Sequence, residues 1–321
     1  MIDILVYNEL LGTEVTDFGL ECLTLGRELA DKGNMKLGCV ALGSNIGHVA
    51  DKLAYYGPGA IFLADDSRLS DYHATPYKKI MRDLISQLSP KIVLFPASTQ
   101  GNDIASSLAA ELKTACVLDC KHLNFDGGPL VMKRLEFDNK VLTNFRAAGG
   151  LPIMATLRDG ITDVRENKRS ATINKIQVVL DENDLVSRII SRQIAKKTVD
   201  LKAAKIIVTA GAGIGSAQNF KLIDELAGAL NAEIGATRPV VDAGWASADR
   251  QIGQTGTTVK PDIYIACGVS GAVQHRVGMM DSKIIIAINV DQSAPIFKIA
   301  HYNIVGDVND VLPKLIKLLK K

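Results

Sequence analysis

Lys205-Ile206-Ile207-Val208-Thr209-Ala210-Gly211-Ala212-Gly213-Ile214-Gly215-Ser216 is the stretch that decides the fold. Residues 205–209 form a short apolar run suited to a strand, and a glycine turn follows at once. Residues 217–230 then bring Leu222, Leu226 and Leu230 onto one helical face, because side chains four apart stack on a 3.6-residue turn. Strand, tight turn and amphipathic helix make up the crossover unit of a parallel sheet. The same alternation continues downstream, with strands expected at 263–266 and 283–289. A final helix at about 309–320 carries Leu312, Leu315 and Leu319 on one face. Its last turn is basic (Lys317, Lys320, Lys321), as the helix dipole prefers.

Working back towards the N-terminus, the pattern recurs. Strands are expected at 2–7, 36–42, 60–63 and 91–96, with helices at 16–32, 77–88 and 101–112. The second helix has Ile80, Leu84, Ile85 and Leu88 in register. A sheet served by such helices is mainly parallel and buried on both faces. Residues 130–137, 141–145 and 152–157 read as strands with no helix between them, which suggests a small antiparallel extension. Residues 181–201 are polar and charged, so the domain boundary is expected near residue 195. The fold class is therefore α/β with two domains, 1–194 and 195–321, each a mainly parallel sheet covered by helices. The second is read as doubly wound.

Composition narrows the function. At about 100–200 residues per domain, 321 residues suit two domains. The 37 basic and 35 acidic residues leave a net charge of +2, which is no footprint for nucleic acid or an anionic membrane. Aromatics are 5%, with Trp245 the single tryptophan, too few for base-stacking platforms. Five cysteines without a CxxC give no support for a zinc ribbon or an iron–sulfur site. Cys116 and Cys120 have the spacing of one helix face, and all five are expected as plain thiols. The opening MIDILVYNEL has no basic segment and reads as a strand, not a signal peptide. No apolar run reaches the roughly 18–20 residues that cross a bilayer, so the expected compartment is the cytoplasm.

Three stretches are candidates for chemistry. Gly211–Gly215 precedes a helix, where backbone N–H groups can meet a phosphate. Glu233 follows 22 residues later, near the place of a ribose-binding acid. An NAD(P)-dependent dehydrogenase is therefore one alternative, although the dinucleotide pattern wants glycine where Ser216 stands. A tight turn near a phosphate or a domain contact is the other. In Gly268-Val269-Ser270-Gly271-Ala272-Val273-Gln274-His275, a nucleophile elbow would need glycine at Ala272. His275 follows Ser270 on the same segment, where it is poorly placed to serve it as a base. A polar helix start that binds an anionic or electron-rich group is the better reading. Residues 237–256 form a long loop rich in glycine and polar groups, functional or simply solvated. No metal motif occurs. His48, His73, His122 and His301 are isolated, and Asp65-Asp66 reads as a turn.

The second and third stretches together carry a resemblance. The order runs Thr237-Arg238-Pro239-Val240-Val241-Asp242-Ala243-Gly244-Trp245, then Arg250-Gln251-Ile252-Gly253-Gln254-Thr255-Gly256, then residues 264–275. Ala287-Ile288-Asn289, Ala294-Pro295-Ile296-Phe297 and Ile304-Val305-Gly306-Asp307 follow. This set resembles the alpha subunit of electron-transfer flavoproteins, almost unbroken from Lys205 onward. The first half matches more loosely, through Phe95-Pro96-Ala97-Ser98-Thr99 and residues 144–150.

The resemblance implies a heterodimer with a beta subunit, which the N-terminal domain would contact, and one FAD in the C-terminal domain. It also implies an electron carrier rather than a substrate-converting enzyme. Its partners would be flavin dehydrogenases such as acyl-CoA dehydrogenases, or acyl-CoA reductases. Some members couple to NADH by electron bifurcation, with determinants largely in the other chain. Carried over, Arg238, Thr255 and His275 would tune the flavin. Arg238 would favour the negative charge that reduction creates, Thr255 would meet the N5 edge, and His275 the N1/C2 edge. Thr237, Ile252, Gly253, Gln254 and the turn Ser270, Gly271, Ala272, Val273 and Gln274 would hold ring, ribityl chain and pyrophosphate. Asn289 and Asp307 would anchor the adenosine end, with Val308 beside them. One departure is Ala212, where the family often has an arginine, so a phosphate-side cation is missing. Gly211 and Gly213 remain by position only.

Overall fold

A computed structural model of the chain describes residues 2–125, 128–137, 140–148, 150–185, 187, 189–190 and 199–319. The chain divides into two compact units, Met1–Arg192 and Gln193–Lys321. The boundary expected near residue 195 lies outside the described residues, as does Lys320 of the final helix.

The first unit opens with β1 (Ile4–Tyr7) and a short hairpin, β2 (Leu10–Leu11) and β3 (Glu14–Val15). Next come α1 (Asp17–Gly33), β4 (Leu37–Gly43), α2 (Val49–Ala54), β5 (Ala60–Asp65), α3 (Ala74–Leu88), β6 (Ile92–Pro96) and α4 (Thr99–Leu112). Five strands follow: β7 (Cys116–Phe125), β8 (Leu130–Glu136), β9 (Val141–Arg146), β10 (Ile153–Leu157) and β11 (Thr172–Lys175). They join one sheet in the order β11-β5-β4-β1-β6-β10-β7-β8-β9. The sheet is parallel except at the β7–β8–β9 end.

Local chemistry sets the helix ends. The Thr16 hydroxyl accepts from Gly19 N at 3.0 Å and starts α1. Asn34 ends that helix in the left-handed region at φ 49°, a conformation asparagine tolerates. Ser98 caps α4 in the same way through Gly101 N. Alternation along the strands fills both faces. Ile4 and Val6 of β1 enter one core, while Leu5 and Tyr7 enter the other.

Two expectations needed correction here. The stretch expected as a third antiparallel strand, β10, is parallel and lies between β6 and β7. It returns to the sheet's interior because Met154, Ala155 and Leu157 are apolar and fully buried. Cys116 and Cys120 stand on a strand, β7, not on a helix face. All five cysteines are free thiols, and all but Cys116 are buried.

The second unit comprises β12 (Ile206–Ala210), α5 (Phe220–Leu230), β13 (Glu233–Ala236), α6 (Arg238–Asp242), β14 (Ile263–Cys267), α7 (Val273–Arg276), β15 (Ile284–Asn289), β16 (Tyr302–Val305) and α8 (Val308–Leu319). Its sheet runs β13-β12-β14-β15-β16 and is parallel throughout. The first strand therefore sits inside the sheet, with chain order reversing between β12 and β14, as in doubly wound folds. One face is covered by α5 and α8 through Ile223, Leu226, Leu312 and Ile316. The other is covered chiefly by irregular chain, with Ile252, Val259, Val269, Met279 and Ile296 inserted from loops and turns. Leu312 is fully buried between helix and sheet. Leu312→Ala should cost about 2–5 kcal/mol, read as a lower midpoint in chemical denaturation.

Candidate functional site

In a doubly wound sheet the chain leaves neighbouring strands in opposite directions at the point of reversal, which opens a crevice past the carboxyl ends of the strands. Here that point lies between β12 and β14. The loops after both strands meet there backbone to backbone. Gly211 N donates to Cys267 O at 2.8 Å and Gly213 N to Gly268 O at 3.0 Å. A β-carbon at Gly211 would fall 2.2 Å from Gly268 O. The glycine loop is thus required by close packing of two turns.

A cleft of about 530 Å³ opens beside these turns, within the common range for small-molecule sites of roughly 300–1,000 Å³. Further walls come from the residues after β13 and from the loop before β14. Ile252 N donates to Ala236 O at 2.9 Å, and Gln254 N donates to Gln274 O at 2.7 Å. These two bonds pin the 251–257 loop between β13 and α7. On the far side, Ile296 N donates to Ser270 O at 3.0 Å. Gly271 takes φ +82° there, and any β-carbon would lie 2.3 Å from Ile296 N.

Most of the residues singled out in the sequence converge on this cleft. Thr237, Arg238, Ile252, Gly253, Gln254 and Thr255 line it, as do Ser270, Gly271, Ala272, Gln274, His275 and Asn289. Val273 does not line the cleft and opens α7 half-buried. Asp307 and Val308 stand outside it. Asp307 Oδ1 accepts from Asn309 N at 2.8 Å at the start of α8, and Val308 is buried in the core beneath that helix. Gly306 N donates to Asn289 O at 3.0 Å, so Asp307 follows directly on the cleft's Asn289. Glu233 begins β13, at the strand end opposite the cleft. The ribose role that the dehydrogenase alternative needs is therefore unsupported.

The structure adds wall residues to which the sequence reading gave no individual role. Gln251, Pro239, Asp291 and Ala294 line the cleft, together with Gly268 and Val269. Asp291 and Ala294 follow β15, and their position beside β14 is set by strand order. Only tertiary pairing brings them in. Ala212 also lines the cleft and offers no charge.

The polar groups are unevenly satisfied. Thr237 is buried and its Oγ1 has no hydrogen-bond partner. A buried hydroxyl normally finds one, so its place in the cleft wall suits a polar ligand atom. Arg238 is 65% exposed, with its Nε 3.4 Å from Asp242 Oδ2. His275 is buried, with Nδ1 3.0 Å from Ile252 O and Nε2 2.9 Å from Tyr264 Oη. Burial pulls its pKa from the ordinary 6.5 down to about 4. The site therefore combines an exposed cation at the rim, a neutral imidazole within, and backbone turns that let a ligand lie close.

The sequence family described as the electron transfer flavoprotein domain matches residues 4–181, and that described as the electron transfer flavoprotein FAD-binding domain matches residues 200–280. The chain is 38% identical to the electron transfer flavoprotein subunit alpha of Thermoanaerobacterium thermosaccharolyticum, across 99% of this chain and 98% of that one. It is 40% identical to Protein FixB of Clostridium saccharobutylicum, across 98% and 96%. Against the Bacillus subtilis alpha subunit the identity is 38%, across 99% and 97%.

The imidazole generates a stability prediction. Between about pH 6.5 and 4 the unfolded chain binds a proton at His275 that the folded chain refuses. The depressed pKa thus contributes stability that is present above pH 6.5 and lost as pH falls through 4, about 3 kcal/mol in all. Denaturation curves between pH 7 and 4 should show a shallower decline for His275→Gln than for the wild type.

Proposed function

The chain belongs to the electron transfer flavoprotein family as an alpha subunit, and from that premise we propose that it binds FAD in the β12–β14 cleft and carries electrons as half of a heterodimer with a beta subunit. The observation that carries the assignment is the unpartnered, buried Thr237 hydroxyl in a cleft whose walls are backbone turns. FAD, when bound, supplies one- and two-electron redox chemistry. The residues of this chain supply the environment. Arg238 extends from the rim with a charge that only partly meets Asp242, so it favours negative charge in the cleft. Thr237, Gln254, Thr255, Ser270 and Gln274 offer polar groups around the walls, and Asn289 would hold the adenosine end. Asn289 is itself held, because its Nδ2 donates to Val269 O at 2.9 Å.

We assign the N-terminal domain, residues 1–194, to contact with the beta subunit. Support comes from Phe137, 75% exposed, near Val141 and Leu142 at the β8–β9 end of its sheet. Exposed apolar residues grouped in this way mark interaction surfaces. The electron donors or acceptors would be acyl-CoA dehydrogenases or related flavoenzymes. Free cysteines throughout fit a reducing compartment, and we place the protein in the cytoplasm. Among the described residues no helix is long and apolar enough to cross a membrane.

Visible absorbance of the co-expressed heterodimer, with flavin counted per dimer, tests the assignment. One FAD per dimer indicates a simple carrier, two indicate a bifurcating assembly, and folded protein isolated without flavin overturns the reading. Arg238→Ala should leave the unfolding midpoint nearly unchanged, since the side chain is exposed. It should lower the first reduction potential by roughly 60 mV, the equivalent of a tenfold loss. An unchanged potential would remove Arg238 from this role.

A further inference from the structure

Both ring nitrogens of His275 are engaged by this chain. The Ile252 carbonyl oxygen, 3.0 Å from Nδ1, can only accept. Nδ1 therefore carries the ring hydrogen. Nε2 keeps its lone pair and accepts the Tyr264 hydroxyl at 2.9 Å. Tyr264 is fully buried in β14, and burial holds its phenol protonated at every working pH.

A third group completes the set. In the β12–β14 register Ile207 pairs with Tyr264 and Thr209 with Ala266. Thr209 thus stands on the same sheet face as Tyr264, one strand across and two residues along. Its hydroxyl reaches the Tyr264 phenol, whose pKa it draws down against the effect of burial, and the contact falls short of full hydrogen-bond geometry, since Thr209 Oγ1 is fully buried with no well-formed partner. Orphaned hydroxyls in a core are costly and uncommon. Among the described residues, His275 and Thr209 are thus the two polar side chains that meet the Tyr264 hydroxyl.

We propose that Tyr264 and Thr209 form a reversible hydrogen-bond relay that positions His275 and lets it change charge inside the core. With the ring neutral, Tyr264 donates to Nε2. With the ring protonated, Nε2–H donates to Tyr264 Oη and the Tyr264 O–H turns to Thr209 Oγ1. The added proton comes from water, Nδ1 keeps its hydrogen, and Tyr264 keeps its own. Both N–H groups of the charged ring and the Tyr264 O–H then have an acceptor.

The proposal rests on the cofactor reading above, since negative charge in the cleft is what would draw the proton. His275 then acts on the cleft as a switchable charge, with its N–H groups pointed into the protein. Other charges bear on it. Arg276 follows it on α7, and Arg238 and Asp291 line the same cleft. Cys267 lies near Tyr264, its thiol kept neutral by burial at about 12. Arg276 and Arg238 oppose a positive ring, and Asp291 favours one.

The test uses the full chain with nitrogen-15-labelled histidine, and the flavin-loaded heterodimer. Five histidines allow assignment against His275→Gln. The nitrogen shifts should report the Nδ1–H tautomer at pH 7 in the wild type and in Thr209→Val. In the loaded heterodimer, the first reduction potential should fall with pH up to a break. That break should lie about one pH unit lower in Thr209→Val, a tenfold loss of proton affinity, and return in Thr209→Ser. An Nε2–H tautomer in the wild type, or a loaded Thr209→Val complex with an unmoved break, overturns the relay. Absence of flavin from every variant overturns the cofactor reading instead.

Discussion

The approach of the Gly211–Gly213 backbone to the Gly268 backbone is the contact on which the second unit's cleft depends. With a β-carbon at Gly211 placed 2.2 Å from Gly268 O, no other residue fits without parting the loops. The bonds from Gly211 to Cys267 and from Gly213 to Gly268 fix both turns at the end of the strands. The cleft walls that follow β12 and β14 are positioned from that junction. Strand order places it at the centre of the sheet, and the crossovers leave the space above it open.

A second constraint acts inside the cleft. The 251–257 loop has no regular structure to hold it, yet it supplies Ile252 to the core and Gln254 and Thr255 to the wall. Ile252 settles the loop by apolar packing, and two backbone bonds, to Ala236 and Gln274, set its depth. The Ile252 carbonyl is turned to His275 in consequence. One buried side chain thus places both a wall of the cleft and the tautomer of its imidazole. Desolvation keeps that imidazole neutral, whereas Arg238 at the rim stays solvated. The cleft therefore holds a fixed positive charge at its mouth and a latent one within.

Much of the fold was legible in local pattern. Strands buried on both faces, such as Ile4–Tyr7 and Ile92–Pro96, stand out as continuous apolar runs, and α5 and α8 show leucines at helical spacing. Elements without such runs escaped. Tyr302–Val305 is exposed at every residue, so nothing in it alternates. Cys116–Phe125 is broken by Asp119, which takes φ 58° within the strand, and by Lys121. β10 was legible as a strand, but its pairing between β6 and β7 was not, because strand order is a long-range property.

The sequence by itself determined the α/β class, the order of the apolar strands and amphipathic helices in each half, and most of the residues that gather at the cleft. Those properties depend on residue type, spacing and a shared pattern of motifs. Tertiary structure alone decided that Asp291 and Ala294 join the cleft, that Asp307 supports α8, and that Tyr264 and Thr209 stand behind His275. Each depends on which strands lie side by side. Tyr264 and Thr209 lie 55 positions apart in the chain and become neighbours only through the β12–β14 register, which no local signal records. The charge state of His275 follows the same logic, because burial sets it and burial belongs to the folded chain.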